Sequence, residues 1–153
     1  MDWASFVVGE KIENNFLYFL VQDSINTNPR YPNQKRQTKF PGGKNRDHPE
    51  DKTFLDTACR ESLEETHLEL ERGKEVVIYD VIKGFHRQVF YLVDALFLKG
   101  NLRTETKEDG NSIIFPPEWA MARDLEKRLY PSHREAFRRS VRELKKQHKD
   151  LVV

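Results

Sequence analysis

Between residues 60 and 65 the chain carries Arg60, Glu61, Glu64 and Glu65. At about 100° per residue the three glutamates fall in one helical arc, because positions three and four apart are helix neighbours. Like charges at this spacing destabilise a helix by roughly 0.2–0.5 kcal/mol per pair. A hard divalent cation with oxygen ligands would relieve that cost, and Mg2+ is the commonest such ion on phosphate substrates. The adjacent Arg60 can orient a carboxylate through charge-assisted hydrogen bonds. Other chemistries find less support. His48, His67, His86, His133 and His148 show no H-E-x-x-H spacing, which argues against a zinc or histidine-based site. A single cysteine, Cys59, excludes an intramolecular disulfide and a cysteine-cluster zinc site. No Walker-type glycine loop and no G-x-S-x-G elbow occurs.

A helix must carry the glutamates. Thr53 followed by Asp56 supplies an N-cap with an acidic third position. Leu55, Cys59, Ser62, Leu63 and Thr66 fall on one side, the predicted buried face, with the glutamates on the other. Upstream, Phe40-Pro41 leads into Gly42-Gly43, a pair that permits positive φ or close backbone approach to a ligand.

Together, residues 42–68 resemble the signature of the Nudix hydrolases: a glycine, five residues, a glutamate, seven residues, then R-E-U-x-E-E-x-G-U with U aliphatic. Arg60, Glu61, Glu64, Glu65 and Leu68 match in register, and Gly42-Gly43-Lys44 matches the glycine at its start. There are four departures. Sixteen residues separate Gly43 from Arg60 instead of thirteen; Lys52 stands at the outlying glutamate; Ser62 replaces an aliphatic; His67 replaces the glycine after the helix. The resemblance implies an α+β fold, an α/β/α sandwich around a mixed sheet. It also implies Mg2+-dependent (or Mn2+-dependent) hydrolysis of a diphosphate linkage in a nucleoside diphosphate derivative. Glu64 and Glu65 would be the principal metal ligands, Glu61 a further ligand or an aid to water activation, and Arg60 the residue orienting Glu61. A carbonyl of Gly42 or Gly43, provisionally Gly43, would join the metal site. A loop glutamate, Glu105 or Glu108, would bind a further metal or act as base. Phe85 stands where some subclasses carry a proline or tyrosine marker, and Phe85 or Tyr31 could stack on a base. A Nudix-like module that binds a nucleotide without turnover is the alternative.

Composition sets the outer limits. The 153 residues suit one domain with a sizeable core. With 26 basic and 25 acidic residues the net charge is +1, which argues against an extended nucleic-acid or anionic-membrane surface. No basic leader with an apolar core and no membrane-length apolar run is visible, so a cytoplasmic protein is the expectation. The sequence leaves oligomeric state open, a homodimer included.

In chain order, residues 5–9 and 16–22 read as strands of a hairpin around a polar turn region at 10–15. Residues 23–39 read as a polar loop, from which Arg30, Tyr31, Lys35 or Arg36 could close over an anionic substrate. A short strand at 38–40 precedes the glycines. After the acidic helix come strands at 75–83 and 88–98, the latter interrupted by Asp94, then a polar loop at 99–112. A last short strand is predicted at 113–115, followed by a helix beginning at Pro116-Pro117-Glu118-Trp119. Leu125 and Leu129 continue its buried face, and Trp119 reads as core. Ser132 to Glu135 reads as a capping box for a terminal helix with Phe137, Val141 and Leu144 as its apolar stripe. Its basic face reads as solvated.

Overall fold

A two-residue turn fixes the first hairpin. Asn14 and Asn15 both take positive φ, 52° and 68°, the left-handed pair that a tight hairpin needs and asparagine tolerates. The computed structural model describes residues 2–31, 35–46 and 48–153. It places β1 (Asp2–Glu13) and β2 (Phe16–Asn26) on either side of this turn, antiparallel, with Ile12 opposite Leu17. Both strands run further than predicted. Glu10 to Glu13 were expected in a turn, but they continue β1, and Glu10 is only 6% exposed. The charged letters conceal a strand whose central stretch, Ala4 to Glu10, is buried on both faces.

Downstream, β3 (Gln37–Lys39) pairs with β2, and β4 (Gly42–Lys44) pairs with β1. Helix α1 (Phe54–Thr66) follows, then the short β5 (Glu69–Leu70). The hairpin β6 (Val76–Lys83) and β7 (His86–Asp94) returns the chain to the sheet, where β7 lies parallel to β1 with Phe6 beside Phe90. Then come β8 (Leu98–Lys99), β9 (Lys107–Asp109), β10 (Ser112–Ile114) and β11 (Glu118–Met121). Helix α2 (Arg134–Gln147) is last. The main sheet runs β6-β7-β1-β2-β10-β9, with β4 also on β1 and β3 and β11 also on β2. One parallel pair among antiparallel ones makes the sheet mixed, as expected.

Alternation along the central strands sends side chains to two separate cores. Phe6, Val8, Phe19, Phe90 and Leu92 face α2 and meet Phe137 and Leu144. Val7, Leu20, Val89 and Tyr91 face α1 and meet Ala58. The predicted α/β/α layering is therefore present.

Three predicted elements differ. The strand expected to reach Leu98 ends at Asp94, whose carboxylate accepts from Leu96 N–H at 2.9 Å and caps a one-turn 3-10 segment, Ala95–Phe97. The helix expected from Pro116 is instead β11, because Trp119 lies opposite Leu20 and extends the sheet. A 3-10 turn (Ala122–Asp124) follows it. Trp119 is half-buried, with the Lys11 ammonium 4.8 Å from its ring. The capping box at Ser132 does not form. Residues Pro131–His133 make a 3-10 turn, and His133, buried among Phe6, Phe40 and Phe90, anchors this corner through the core. No helix among the described residues is long and apolar enough to cross a membrane.

Burial, reinforced by the neighbouring Asp94 carboxylate, raises the Glu10 pKa to about 7. The folded state therefore holds a proton that the unfolded chain releases near the ordinary carboxylate value. Stability contributed here is present at low pH and is lost as pH rises through 7. Glu10→Gln is expected to raise Tm by several degrees at pH 8 and to change it little at pH 4.5. Thermal melts of the two proteins at both pH values check this.

Candidate active site

The start and end of α1 are both fixed. Asp56 N–H donates to Thr53 Oγ1 at 3.1 Å while the Asp56 carboxylate accepts from Thr53 N–H at 3.1 Å, the reciprocal box expected from the sequence. At the other end His67 takes φ 66° and its N–H donates to the Leu63 carbonyl at 3.0 Å, so a histidine fills the left-handed position usually given to glycine. Ser62 Oγ donates to the Leu68 carbonyl at 3.2 Å, which explains a hydroxyl at a position where the resembling pattern has an aliphatic. The last turn contains no basic residue, yet its carbonyls are satisfied by cations from the later loop. Lys107 Nζ donates to the Glu64 carbonyl at 2.9 Å and Arg103 Nε to the Glu65 carbonyl at 2.7 Å. Arg103 is 2% exposed and also donates to the carbonyls of Glu105 and Phe115, tying this loop to the helix end.

The buried face of α1 is the predicted one only at Ser62 and Thr66. Thr57, Ala58, Ser62 and Thr66 face the sheet, whereas Leu63 is 49% exposed and Leu55 and Cys59 are half-buried. Burial raises the Cys59 pKa, in keeping with a packed thiol. The reason for the altered face is steric. Small side chains let the helix settle against β4, where the glycines leave room. A Cβ on Gly43 would lie 2.5 Å from the Glu61 carboxyl carbon, and one on Gly42 would collide with the β1 backbone at Ser5. Neither glycine has positive φ, so close approach and not backbone freedom requires them. As a result Glu61 and Glu65 sit against the sheet and only Glu64 points outward.

Glu65 is the most enclosed of the three. Its Oε2 accepts from Gln22 Nε2 and, at 3.3 Å, from Gly42 N–H. Burial, then the adjacent Glu61 carboxylate, raise its pKa well above the ordinary value. Arg60 is the counter-charge: Nη1 donates to Glu61 at 3.0 Å and to Glu64 at 3.2 Å, and Nε to Asp51 at 2.9 Å. Burial opposes the Arg60 charge, but Asp51 and Glu61 outweigh it and its pKa rises. The repulsion inferred from the three carboxylates is thus partly neutralised within the chain. Asp51, its side chain 5% exposed, also accepts from Thr57 Oγ1 at 3.0 Å. The exposed Lys52, next in sequence, is joined to this cluster among the described residues only through its N–H to Asp56.

Two cavities of about 290 Å³ each meet at Glu65. The first is lined by Gln22, Lys39, Gly42, Gly43 and Lys44, with Phe6, Phe40, Tyr130 and His133 giving it an aromatic wall. Phe40 N–H donates to His133 Nδ1 at 3.1 Å, and burial, then Lys39, depress the His133 pKa to about 3. The ring is therefore neutral at physiological pH, with its proton on Nε2. Burial, with the nearby Lys44, also lowers the Lys39 pKa, against the pull of Glu65. The second cavity lies between the three glutamates and the loop residues Lys107, Glu108 and Asp109. Of the two loop glutamates expected from the sequence, Glu108 is therefore the one placed at the site. Arg30 and Tyr31 are exposed and line neither cavity, and Phe85 is 87% exposed at the β6–β7 turn. Arg36 is committed to Asp23 at 2.6 Å and to the Phe115 ring. The remaining polar residues of the first cavity, Gln22, Lys39 and His133, went unnoticed in the sequence as site candidates, where only Lys39 beside Phe40-Pro41 carries a local signal.

No protein-family model matches the sequence, and no curated protein does. Solved structures do match. The Nudix domain of Shewanella oneidensis NrtR superposes with TM-score 0.66 at 14% identity, covering 93% of this chain and 87% of that one. A Caenorhabditis elegans Ap4A hydrolase gives 0.60 at 16% identity, covering 94% and 98%. A MutT Nudix hydrolase from Burkholderia pseudomallei gives 0.58 at 20% identity, covering 90% and 97%. The chain has the Nudix fold.

The placement of Asp51 yields a test. Asp51→Asn removes the carboxylate that holds both Arg60 and Thr57, so Tm is expected to fall by several degrees in thermal melts. Lys52→Glu is expected to leave Tm within error of wild type.

Proposed function

We propose that the chain is a metal-dependent hydrolase that cleaves a diphosphate linkage in a nucleoside diphosphate derivative, with Mg2+ as cofactor and Mn2+ as a substitute. The observation that carries this reading is the placement of Glu61 and Glu65 against the Gly42–Gly43 strand, at the edge of a cavity that also holds Lys39 and Lys44. Among neighbours of the same fold, the NrtR Nudix domain is complexed with ADP ribose and the nematode protein is an Ap4A hydrolase, both ligands carrying nucleosides on linked phosphates.

The donor set suits a hard cation. It consists of carboxylate oxygens, and the raised Glu65 pKa marks a buried carboxylate pair that needs a neutralising charge. Among the described residues no three acidic, histidine or cysteine side chains yet converge on one point. Arg60 accounts for this, since it draws Glu61 and Glu64 to itself. Releasing Glu64 costs little: the pair is half-exposed, and such i,i+4 pairs contribute only about 0.3–0.5 kcal/mol. Glu61, Glu64 and Glu65 would hold the ion, which when bound would polarise phosphoryl oxygens and lower the pKa of a coordinated water. Lys39 and Lys44 bind the phosphate oxygens of the substrate. Arg60 keeps one Glu61 oxygen fixed through its Nη1 donor. Glu108, across the second cavity, would accept a proton from the attacking water.

A nucleotide-binding role without turnover is the second reading, favoured by the Arg60 clamp that occupies Glu61 and Glu64. Activity decides between the two. Glu65→Gln is expected to cut turnover of ADP-ribose by roughly a hundredfold or more while the protein remains folded by circular dichroism. Unchanged turnover in that variant removes α1 from the chemistry.

Metal binding can be read without a substrate. A cation that binds only the folded state at tenfold excess over Kd adds roughly 1.4 kcal/mol. That corresponds to about 3–6 °C in Tm for a domain of this size. Such a rise is expected on adding millimolar Mg2+ at constant ionic strength, which excludes screening. The Glu64→Gln, Glu65→Gln double variant is expected to melt at or above the metal-free wild type and to lose most of the response.

A further inference from the structure

The sheet face that carries the first cavity continues beyond it. Lys44, Ala4 and Gln88 are register neighbours across β4, β1 and β7, so their side chains share one face. All three line the first cavity, and all three also line a third cavity of about 290 Å³. Two residues along the strands, the next row on that face is Asp2, His86 and Lys83, aligned by the same pairing across β1, β7 and β6. This row lies about 7 Å from the first, and its three residues line only the third cavity of the two. Trp3 and Arg87 alternate to the opposite face, where they meet Thr57 and Phe54, and they complete the rim.

The third cavity is basic. Lys44, Lys83 and His86 are all exposed residues, open to a ligand from solvent. The carboxylates that could neutralise the lysines are engaged elsewhere. Asp2 accepts from Arg46 at 3.1 Å, and Asp80 from Arg87 at 2.8 Å. Lys44 and Lys83 form no ion pair among the described residues. The His86 imidazole offers an N–H donor whether or not it is charged. Two ammonium groups facing one concavity repel each other and attract an anion, and lysine serves phosphate as a compact point charge. A tetrahedral phosphate also presents oxygens in several directions, which suits donors arriving from separate strands.

We propose that the third cavity is a subsite for a further phosphate of the substrate, beyond the diphosphate that is cleaved, and that Lys83 and His86 hold it. This rests on reading the first cavity as the substrate site. Lys44, which lines both cavities, then lies between the two anionic groups and serves each. The row spacing of about 7 Å places the further phosphate too far away to be the diphosphate itself. It leaves room for one sugar between them, or for additional links of the phosphate chain. The substrate class is therefore a nucleoside diphosphate derivative with an extra phosphate, carried on the sugar or on the chain.

Calorimetric titration with AMP, adenosine 3′,5′-bisphosphate and ATP, all in EDTA, reads binding without turnover. The bisphosphate adds a phosphate on the sugar, and ATP extends the chain. The wild type is expected to bind at least one of these two at least tenfold more tightly than AMP. In Lys83→Gln and in His86→Asn that advantage is expected to fall below threefold. Both residues are exposed beside the Gly84–Phe85 turn, so neither change removes a buried contact, and melting temperature checks each fold. A gain for the bisphosphate places the further phosphate on the sugar, and a gain for ATP alone places it on the chain. Equal binding of all three by the wild type, or measurable binding of none, overturns the subsite. An advantage that survives in both folded variants overturns it as well, because Lys39 and Lys44 then account for the extra phosphate. Phosphate-dependent binding with no hydrolysis of any such substrate sinks the hydrolase reading and leaves the subsite standing. Hydrolysis of ADP-ribose that Glu65→Gln abolishes, with no advantage for an extra phosphate, does the reverse.

Discussion

The separation between α1 and β4 is governed by residues with little or no side chain. The helix packs through Thr57, Ala58, Ser62 and Thr66, the Glu61 carboxyl rests where a Gly43 Cβ would be, and the Gly42 N–H reaches Glu65. Any larger residue at these contacts would lift the helix. The carboxylates would then return to water, where burial could no longer hold Glu65 in its high-pKa state. Close packing is thus what turns three ordinary acidic residues into a site with unusual electrostatics, and the sheet supplies the flat surface against which the approach is made.

Held that close, the helix has terminal backbone groups that need partners from elsewhere. Thr53 and Asp56 serve the first turn from within the local sequence. The last turn is served from a distance, by Arg103 and Lys107, which belong to the segment that also brings Glu108 to the glutamates. The same loop therefore fixes the end of α1 and lines one side of the candidate site. Asp51 plays a parallel part at the opposite side, holding Arg60 and Thr57 at once.

Local chemistry was the legible part of the sequence. The capping box at Thr53, the helix it begins and the order of strands follow from spacing and residue type, and they hold. What failed has a physical pattern. Glu10 to Glu13 and Glu118 to Met121 look like a turn and a helix start, yet strand pairing overrides their local preference. The Ser132 box loses to the packing of the His133 ring. The buried face of α1 was right at Ser62 and Thr66 and wrong at Leu63, because an apolar residue was assumed to face the core where this interface needs small ones. Gln22, Arg103 and His133 were invisible for another reason. Each acts through a partner more than thirty residues away, and no local pattern encodes such a meeting.

The parallel pairing of β1 with β7 has a consequence for how the chain is made. Asp2 lies beside His86 and Glu10 beside Asp94, so the most buried strand is synthesised long before one of its two long neighbours exists. Until residue 94 has left the ribosome, the β1–β2 hairpin presents apolar side chains on both faces and an incompletely paired outer edge on each strand. Such a nascent state is exposed to mispairing, and sheets built from distant segments form slowly. The Asn14–Asn15 turn bears on this directly. By fixing the first hairpin without help from later sequence, it gives the growing chain one settled pairing while the other waits.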